Sequence, residues 1–156
     1  MTFGSAGAAA DSVELAAFTT LRLGGPARRF VTATTVQECV AAVRAAEGAG
    51  EPLLVLSGGS NLVIGDGGFD GVAMRVATTG VVIDADAVLH AAAGQDWDGV
   101  VAHTVAAGYG GLECLSGIPG SVGATPVQNV GAYGVELSDL LCGVDLYDRR
   151  GGEVRA

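Results

Sequence analysis

Two glycine-rich segments carry the residue types with which a main chain could bind a ligand. The first, residues 56–62, reads Leu-Ser-Gly-Gly-Ser-Asn-Leu and follows a short apolar run. Its two glycines allow a sharp turn and a close approach to a ligand, and consecutive N–H groups in such a turn can form an anion-binding nest. Ser57, Ser60 and Asn61 add short polar side chains. The spacing is neither the G-x-G-x-x-G fingerprint nor a Walker loop, and the residues alone also fit an ordinary glycine-rich turn.

The second segment, residues 116–134, reads Ser-Gly-Ile-Pro-Gly-Ser-Val-Gly-Ala-Thr-Pro-Val-Gln-Asn-Val-Gly-Ala-Tyr-Gly. Its glycines and prolines fix unusual backbone angles and remove bulk, so it could lie flat against a planar ring. Gln128 and Asn129 can each donate and accept hydrogen bonds. The alternative is a long connecting loop, but loops of this length are uncommon unless functional or disordered, and the apolar Ile118 and Val122 argue against disorder. We interpret the segment as a ligand wall.

Other candidate residues give weaker signals. Asp84, Asp86, Asp96 and Asp98 occupy a turn and a helix start, where Asp is common, so no metal site is predicted. His103 is interpreted as a surface or lining residue, and nothing marks Cys114 as an activated thiol. Two aromatic side chains could stack on a ring. Trp97 has the helical spacing of a core anchor, which leaves Tyr133, inside the second segment, as the better candidate.

Composition limits the classes of partner. The net charge is −9, and all eight cations are Arg, so a nucleic-acid or anionic-membrane surface is not expected. Without Lys, this chain has neither a Schiff-base lysine nor a P-loop lysine, and an anionic ligand would depend on backbone N–H groups. Three scattered cysteines, no apolar run of membrane-spanning length and a poor signal peptide predict a cytoplasmic protein. Residues 1–17 are expected to form a flexible leader.

The pattern of elements places both segments. Thr35 and Glu38 have capping-box spacing and begin an amphipathic helix after a strand at 27–33. The apolar run at residues 53–56 predicts a buried strand, so strand, helix and strand form a βαβ unit whose carboxyl edge carries the first segment. Further strands are predicted at 72–76, 81–83, 88–92 and 144–147. A second helix, capped by Asp96, carries Trp97, Val100, Val101 and Val105 on one face, and a helical turn is predicted near 135–141.

The last residues of the sequence predict a hairpin. Residues 148–152 have the pattern of a hairpin turn, but only four residues follow to form the returning strand. We interpret this pattern as truncation inside a domain, and the alternative is a short edge strand.

Taken together, the motifs resemble one enzyme family. Residues 20–25 (Thr-Leu-Arg-Leu-Gly-Gly), the first segment and the run Gly-Ile-Pro-Gly-Ser-Val-Gly-Ala-Thr-Pro-Val-Gln-Asn-Val-Gly-Ala-Tyr-Gly-Val-Glu closely resemble the UDP-N-acetylenolpyruvoylglucosamine reductase family. The resemblance covers the chain from about residue 18 onward. The second segment is highly specific to the family, whereas loops like the first also occur in the wider group of flavin enzymes with the vanillyl-alcohol-oxidase fold.

The resemblance implies an α+β, two-lobed FAD-binding unit of the vanillyl-alcohol-oxidase (PCMH) type. A βαβ lobe would span residues 18–77, and a lobe with an antiparallel sheet and helices would span 78–156, truncated and without a C-terminal substrate domain. By position, the family loop that cradles the pyrophosphate matches Gly58, Gly59, Ser60, Asn61 and Leu62. The family segment that lines the flavin matches Ile118, Pro119, Gly120, Ser121, Gly123, Ala124, Asn129 and Gly131. Tyr133 would face the substrate side.

The resemblance also implies a reaction. NADPH would reduce FAD, and the reduced flavin would reduce UDP-N-acetylglucosamine enolpyruvate to UDP-N-acetylmuramate, a step of bacterial cell-wall synthesis. The family residues that carry the second half lie downstream of the matched region, so no catalytic residue is assigned here and the chain alone is expected to be inactive. Two alternatives stay open: another FAD oxidoreductase of the same fold group, and a non-catalytic flavin- or nucleotide-binding module. Exposed cleft walls would favour self-association.

Overall fold

A four-stranded mixed sheet dominates the first half of the computed structural model, which describes residues 9–156. Its strands lie in the order β1-β2-β4-β3: β2 pairs antiparallel with β1 and parallel with β4, which in turn pairs parallel with β3. Helix α1 connects β2 to β3 and packs on one face of the sheet. The bounds are β1 Ala9–Glu14, β2 Pro26–Ala33, α1 Val36–Gly48, β3 Leu53–Leu56 and β4 Phe69–Val76.

The start of α1 confirms the predicted capping box. The Thr35 hydroxyl accepts the Glu38 main-chain N–H at 3.1 Å, and the Glu38 carboxylate accepts the N–H groups of Thr34 and Thr35. The Thr34 main-chain N–H, followed by its hydroxyl, holds the pKa of Glu38 below its ordinary value. Three main-chain donors at the start of α1 are thus satisfied by side chains, which fixes where the helix begins.

The wholly apolar sequence of β3 predicted a strand in the buried interior of the sheet, but β3 lies at the edge. β4 inserts between β2 and β3, so β3 becomes an edge strand. Leu56 is completely buried, whereas Val55 on the opposite face is 54% exposed. An apolar run therefore marked a strand correctly but not its place in the sheet.

The prediction that residues 1–17 form a flexible leader is wrong from residue 9 onward. Residues 1–8 lie outside the part of the chain that the structure describes. Ala9–Glu14 form β1, paired with β2, and Leu15 is completely buried at the start of a 3₁₀ turn, Leu15–Phe18. The N–H groups of Leu15 and Ala16 donate to Gly25 and Gly24. The small residues of this segment predicted a flexible chain, but pairing with β2 provides hydrogen-bond partners for its main-chain groups.

The second half of the chain is built from short antiparallel ribbons and one helix. Its core contains Trp97, Val101, Leu115, Val130 and Leu137. The Trp97 indole N–H donates to the Leu115 carbonyl at 2.9 Å, as a core anchor requires, whereas Val105, expected on the same stripe, is 51% exposed. The bounds are β5 Val81–Ile83, β6 Leu89–Ala91, α2 Trp97–Ala106, β7 Gly131–Ala132, β8 Val135–Glu136, β9 Leu146–Asp148 and β10 Glu153–Arg155. The expected antiparallel strands are present as three two-stranded ribbons, β5–β6, β7–β8 and β9–β10.

The last ribbon, β9–β10, packs back onto helix α1. Arg44 donates to the Tyr147 hydroxyl at 3.0 Å and to the Gly152 carbonyl, and Arg149 forms an ion pair with Glu47 at 2.6 Å. Residues 146–155, which the sequence-based division assigned to the second lobe, therefore contact the first.

Candidate functional site

The two glycine-rich segments meet at a pair of serine hydroxyls. Ser57 Oγ and Ser121 Oγ lie 2.6 Å apart, and Ser57 Oγ also accepts the Ser121 main-chain N–H at 3.0 Å. Ser57 follows directly after β3, while Ser121 forms a bridge with Asp96 at the start of α2. Both segments are therefore held by regular elements, one in each half of the chain.

Beside this pair, the backbones of the two segments approach each other closely. A Cβ placed on Gly58 would lie 2.9 Å from the Gly120 Cα, closer than real Cβ atoms come to a neighbour. Glycine is required at Gly59 for two reasons. Its φ is +68°, and a Cβ there would lie 2.0 Å from the Phe18 carbonyl oxygen. The Gly59 carbonyl in turn accepts the Thr20 N–H at 3.2 Å, which ties the loop to residues 18–20.

The first segment presents unpaired main-chain donors. Among residues 9–156, no group accepts a hydrogen bond from the N–H of Gly58, Gly59, Ser60 or Asn61. Such a run of backbone donors at the carboxyl edge of a sheet suits an anion that accepts several hydrogen bonds at once. The residues present therefore fit a pyrophosphate group, and they do so without a lysine.

The second segment is ordered by main-chain hydrogen bonds to residues 93–97. Val122 N–H donates to Gln95 at 2.9 Å, Gly123 N–H to Ala93 at 2.8 Å, and the Gly120 carbonyl accepts the Trp97 N–H at 3.1 Å. A Cβ on Gly123 would lie 2.7 Å from the Ala93 Cβ, so this glycine permits the close packing. Residues Val122–Val127 then form a 3₁₀ turn. The segment is a fixed wall rather than a loose connection.

Asp98 anchors the start of that wall, a role that the sequence analysis missed. One carboxylate oxygen accepts both the Ser116 hydroxyl and the Gly117 N–H, each at 2.7 Å. The Gly117 N–H, followed by the Ser116 hydroxyl, holds the pKa of Asp98 below its ordinary value. The only sequence signal was an Asp in the first turn of a helix, which also fits a helix of no special function.

A second contact between the segments lies at their polar ends. The Asn61 amide donates to the Gln128 side-chain carbonyl at 3.2 Å. Asn129, with φ of +47°, donates to the Glu136 carboxylate at 2.8 Å and accepts the Ser138 N–H at 2.9 Å. Asn129 thus braces the β7–β8 ribbon.

An open cavity of about 470 Å³ lies at that ribbon rather than at the serine pair. It is lined by Asn129, Gly131, Ala132, Gly134, Val135, Glu136 and Asp139. Tyr133 stands at the tip of the ribbon, is 91% exposed and has φ of +54°. Within residues 9–156, Tyr133 belongs to none of the hydrophobic clusters.

The residues predicted for the site therefore separate into three groups. Those brought together at the junction are Gly58, Gly59, Ser60, Asn61, Gly120 and Ser121. Leu62 and Ile118 each pack against a hydrophobic cluster, and the N–H groups of Gly123 and Ala124 donate to the Ala93 and Ser121 carbonyls, so these residues support the walls. Gly131 and Tyr133 belong to the β7–β8 ribbon, which Asn129 contacts through Glu136. Pro119 is exposed between the two regions. Ser57 and Gln128 complete the junction; both were named as polar side chains of the two segments, although the family resemblance did not assign them to the site.

Three of the four aspartates considered for a metal site, Asp84, Asp96 and Asp98, have hydrogen-bond partners within the chain. Asp96 caps α2 by accepting the Gly99 N–H, and Asp84 accepts the N–H groups of Asp86 and Val88 beside His90. Within residues 9–156, no three His, Cys, Asp or Glu side chains are grouped as metal ligands. No helix in that range combines the length and apolar character needed to cross a membrane.

Comparison with known proteins places these observations in a family. The model of the FAD binding domain family matches residues 27–156. The chain is 65% identical over 145 residues to the UDP-N-acetylenolpyruvoylglucosamine reductase of Nocardia farcinica, covering 93% of this chain and 37% of the relative. It is 59% identical over 142 residues to the Streptomyces coelicolor reductase of the same name, with 91% and 37% covered.

A solved structure shows the same relationship. The UDP-N-acetylenolpyruvylglucosamine reductase of Thermus caldophilus superposes with a TM-score of 0.74 at 31% identity, over 93% of this chain and 50% of that one. The chain thus spans well under half the length of the curated relatives described above. This confirms the α+β, two-lobed fold class. The chain belongs to the FAD-binding domain family, and within it corresponds to the flavin-domain part of UDP-N-acetylenolpyruvoylglucosamine reductases.

Proposed function

We propose that this chain binds FAD, with the pyrophosphate on the N–H groups of residues 58–61 and the flavin ring along residues 118–131. The observation that carries the proposal is a run of four main-chain N–H groups that have no acceptor among residues 9–156 and lie where the Gly58 backbone meets Gly120. Membership of the FAD-binding domain family supports FAD over other anionic ligands.

We further propose that the chain serves an NADPH-dependent reductase that converts UDP-N-acetylglucosamine enolpyruvate to UDP-N-acetylmuramate in the cytoplasm. The names of the relatives support this step, although the chain spans only part of their length. When bound, FAD would supply the hydride chemistry. The residues of this chain would bind and orient FAD, and Tyr133 would face the substrate side. None of these residues is assigned a catalytic role, and we propose that the chain by itself is inactive.

Titration of the purified chain with FAD tests the proposal. We expect the flavin absorbance bands to shift and the flavin fluorescence to change saturably, with one FAD bound per chain. NADPH added to the complex would then report whether the bound flavin can be reduced. A spectrum of free FAD at every ratio would reject the cofactor assignment and favour a module with an empty cleft.

A further inference from the structure

Arg75 has no carboxylate partner within the described part of this acidic chain. Among residues 9–156, the arginines that form ion pairs are Arg28, Arg29, Arg149 and Arg155. Arg75 forms no ion pair and donates no side-chain hydrogen bond there, although the chain carries 17 acidic residues against 8 basic ones. Its charge is therefore available to a ligand.

The sheet places Arg75 at the edge that carries the first glycine-rich segment. Arg75 lies near the end of β4 and is in register with Leu56, the last residue of β3. Its neighbour Met74 packs in the cluster beside α1, so Arg75 projects from the opposite face, as Ala73 and Leu56 do. Parallel strands end at the same edge, so Arg75 stands beside the start of residues 57–61.

An aromatic ring fixes the position of the guanidinium. The Arg75 Cζ lies 5.7 Å from the centroid of the Phe18 ring, and Phe18 stacks on Phe30 with centroids 4.4 Å apart. The Phe18 carbonyl is the group that leaves no room for a Cβ at Gly59. One residue, Phe18, therefore contacts both the cation and the loop with the unpaired N–H groups. Stacking on an aromatic face leaves the guanidinium N–H groups free at its rim.

We propose that Arg75 forms an ion pair with the pyrophosphate of the dinucleotide and supplies the positive charge that the loop lacks. This inference rests on the proposed function. Backbone N–H groups are neutral, and charge-assisted hydrogen bonds to phosphate are stronger than neutral ones. In a chain with net charge −9, a cation beside the loop would offset part of the repulsion that a dianionic ligand meets.

The test compares FAD affinity in Arg75→Gln, Arg75→Lys and Arg150→Gln, each at low and high NaCl. Arg150 is the matched control because its side chain has no hydrogen bond or ion pair within the described residues. We expect Arg75→Gln to weaken FAD binding by about tenfold and to flatten its salt dependence. Arg75→Lys should restore the salt dependence of FAD binding, because it restores the positive charge. A residue that only covered the Phe18 ring would not influence that salt dependence. Equal affinity and equal salt dependence of wild type and Arg75→Gln would overturn the inference and leave the proposed function intact.

A second measurement covers the case in which the wild-type chain binds no FAD and the proposed function fails. Inorganic pyrophosphate is added to the ¹⁵N-labelled chain, and the amide resonances of residues 58–61 are followed. Shifts that saturate in the wild type and vanish in Arg75→Gln would support the ion pair independently of flavin. Absent shifts, or shifts that Arg75→Gln retains, would overturn it.

Discussion

Ser57 Oγ lies 2.6 Å from Ser121 Oγ, although 64 positions separate the two residues along the chain. The same Ser57 oxygen accepts the Ser121 N–H at 3.0 Å. Ser121 is only 7% exposed, so water is a poor substitute for this acceptor. One hydroxyl thus joins the loop after β3 to the wall before the 3₁₀ turn.

Replacing Ser57 by Ala should therefore destabilise the chain. The buried Ser121 N–H would lose its acceptor, and we expect the free energy of unfolding to fall by about 1–3 kcal/mol. Denaturant unfolding measures the change. Ser138→Ala is the matched control, since Ser138 is exposed and its hydroxyl makes no hydrogen bond within the described residues. Equal free energies of unfolding for the two variants would show that the contact between Ser57 and Ser121 does not stabilise the fold.

Local features of this fold could be predicted from the sequence. The capping box at Thr35 and Glu38 involves neighbours three residues apart, and Trp97 follows helical spacing, so both were predicted correctly. The glycine-rich loop after residue 56 was also placed at the carboxyl edge of the sheet. Each of these features depends on contacts within a few residues or on a simple strand-to-loop rule.

Features set by distant partners could not be predicted. The edge position of β3 depends on the later insertion of β4, and β1 depends on pairing across a turn with β2. Asp98 gains its role only because the chain returns to place Gly117 beside it, 19 positions later. No residue pattern close to any of these positions carries that information.

A methyl group at Gly58 should weaken cofactor binding. Its Cβ would lie 2.9 Å from the Gly120 Cα, so one of two backbones must shift at the proposed pyrophosphate site. Overpacking of this kind costs about 1–3 kcal/mol, and we expect Gly58→Ala to lower FAD affinity about tenfold or more. Flavin fluorescence titration measures the affinity.

Gly143→Ala is the control for that variant, because a Cβ there would meet nothing within 4 Å. Far-ultraviolet circular dichroism shows whether Gly58→Ala keeps its secondary structure. A folded Gly58→Ala chain with the affinity of Gly143→Ala would place the pyrophosphate elsewhere.

Copies of this chain should associate through an exposed apolar strip. Leu140, Leu141, Val144 and Leu146 are each 40–62% exposed within seven residues, an unusual concentration for a free surface. We expect light scattering to show a mass above that of the monomer, increasing with concentration, and Leu146→Asp to reduce it. Val82→Asp, at a site that is 62% exposed outside the strip, should not. Monomer mass at all concentrations would contradict the expectation.

Acid should weaken the attachment of the ligand wall through Asp98. The Gly117 N–H and then the Ser116 hydroxyl lower the pKa of Asp98 in the folded chain, so the folded state binds this proton less readily than the unfolded state. The stabilisation of the fold by the ionised Asp98 carboxylate is therefore complete above the pKa of an unfolded Asp, about 3.9. It is lost as the pH falls through the lower pKa that Asp98 has in the folded chain. Asp98→Asn removes the titrating group, so its unfolding free energy should decline less steeply across that window than that of the wild type. Asp145→Asn is the control, since Asp145 is exposed and has no side-chain partner within the described residues. The Gly117 amide resonance should move with Asp98 titration in the wild type, and a resonance that stays constant down to the acid limit would refute the assignment.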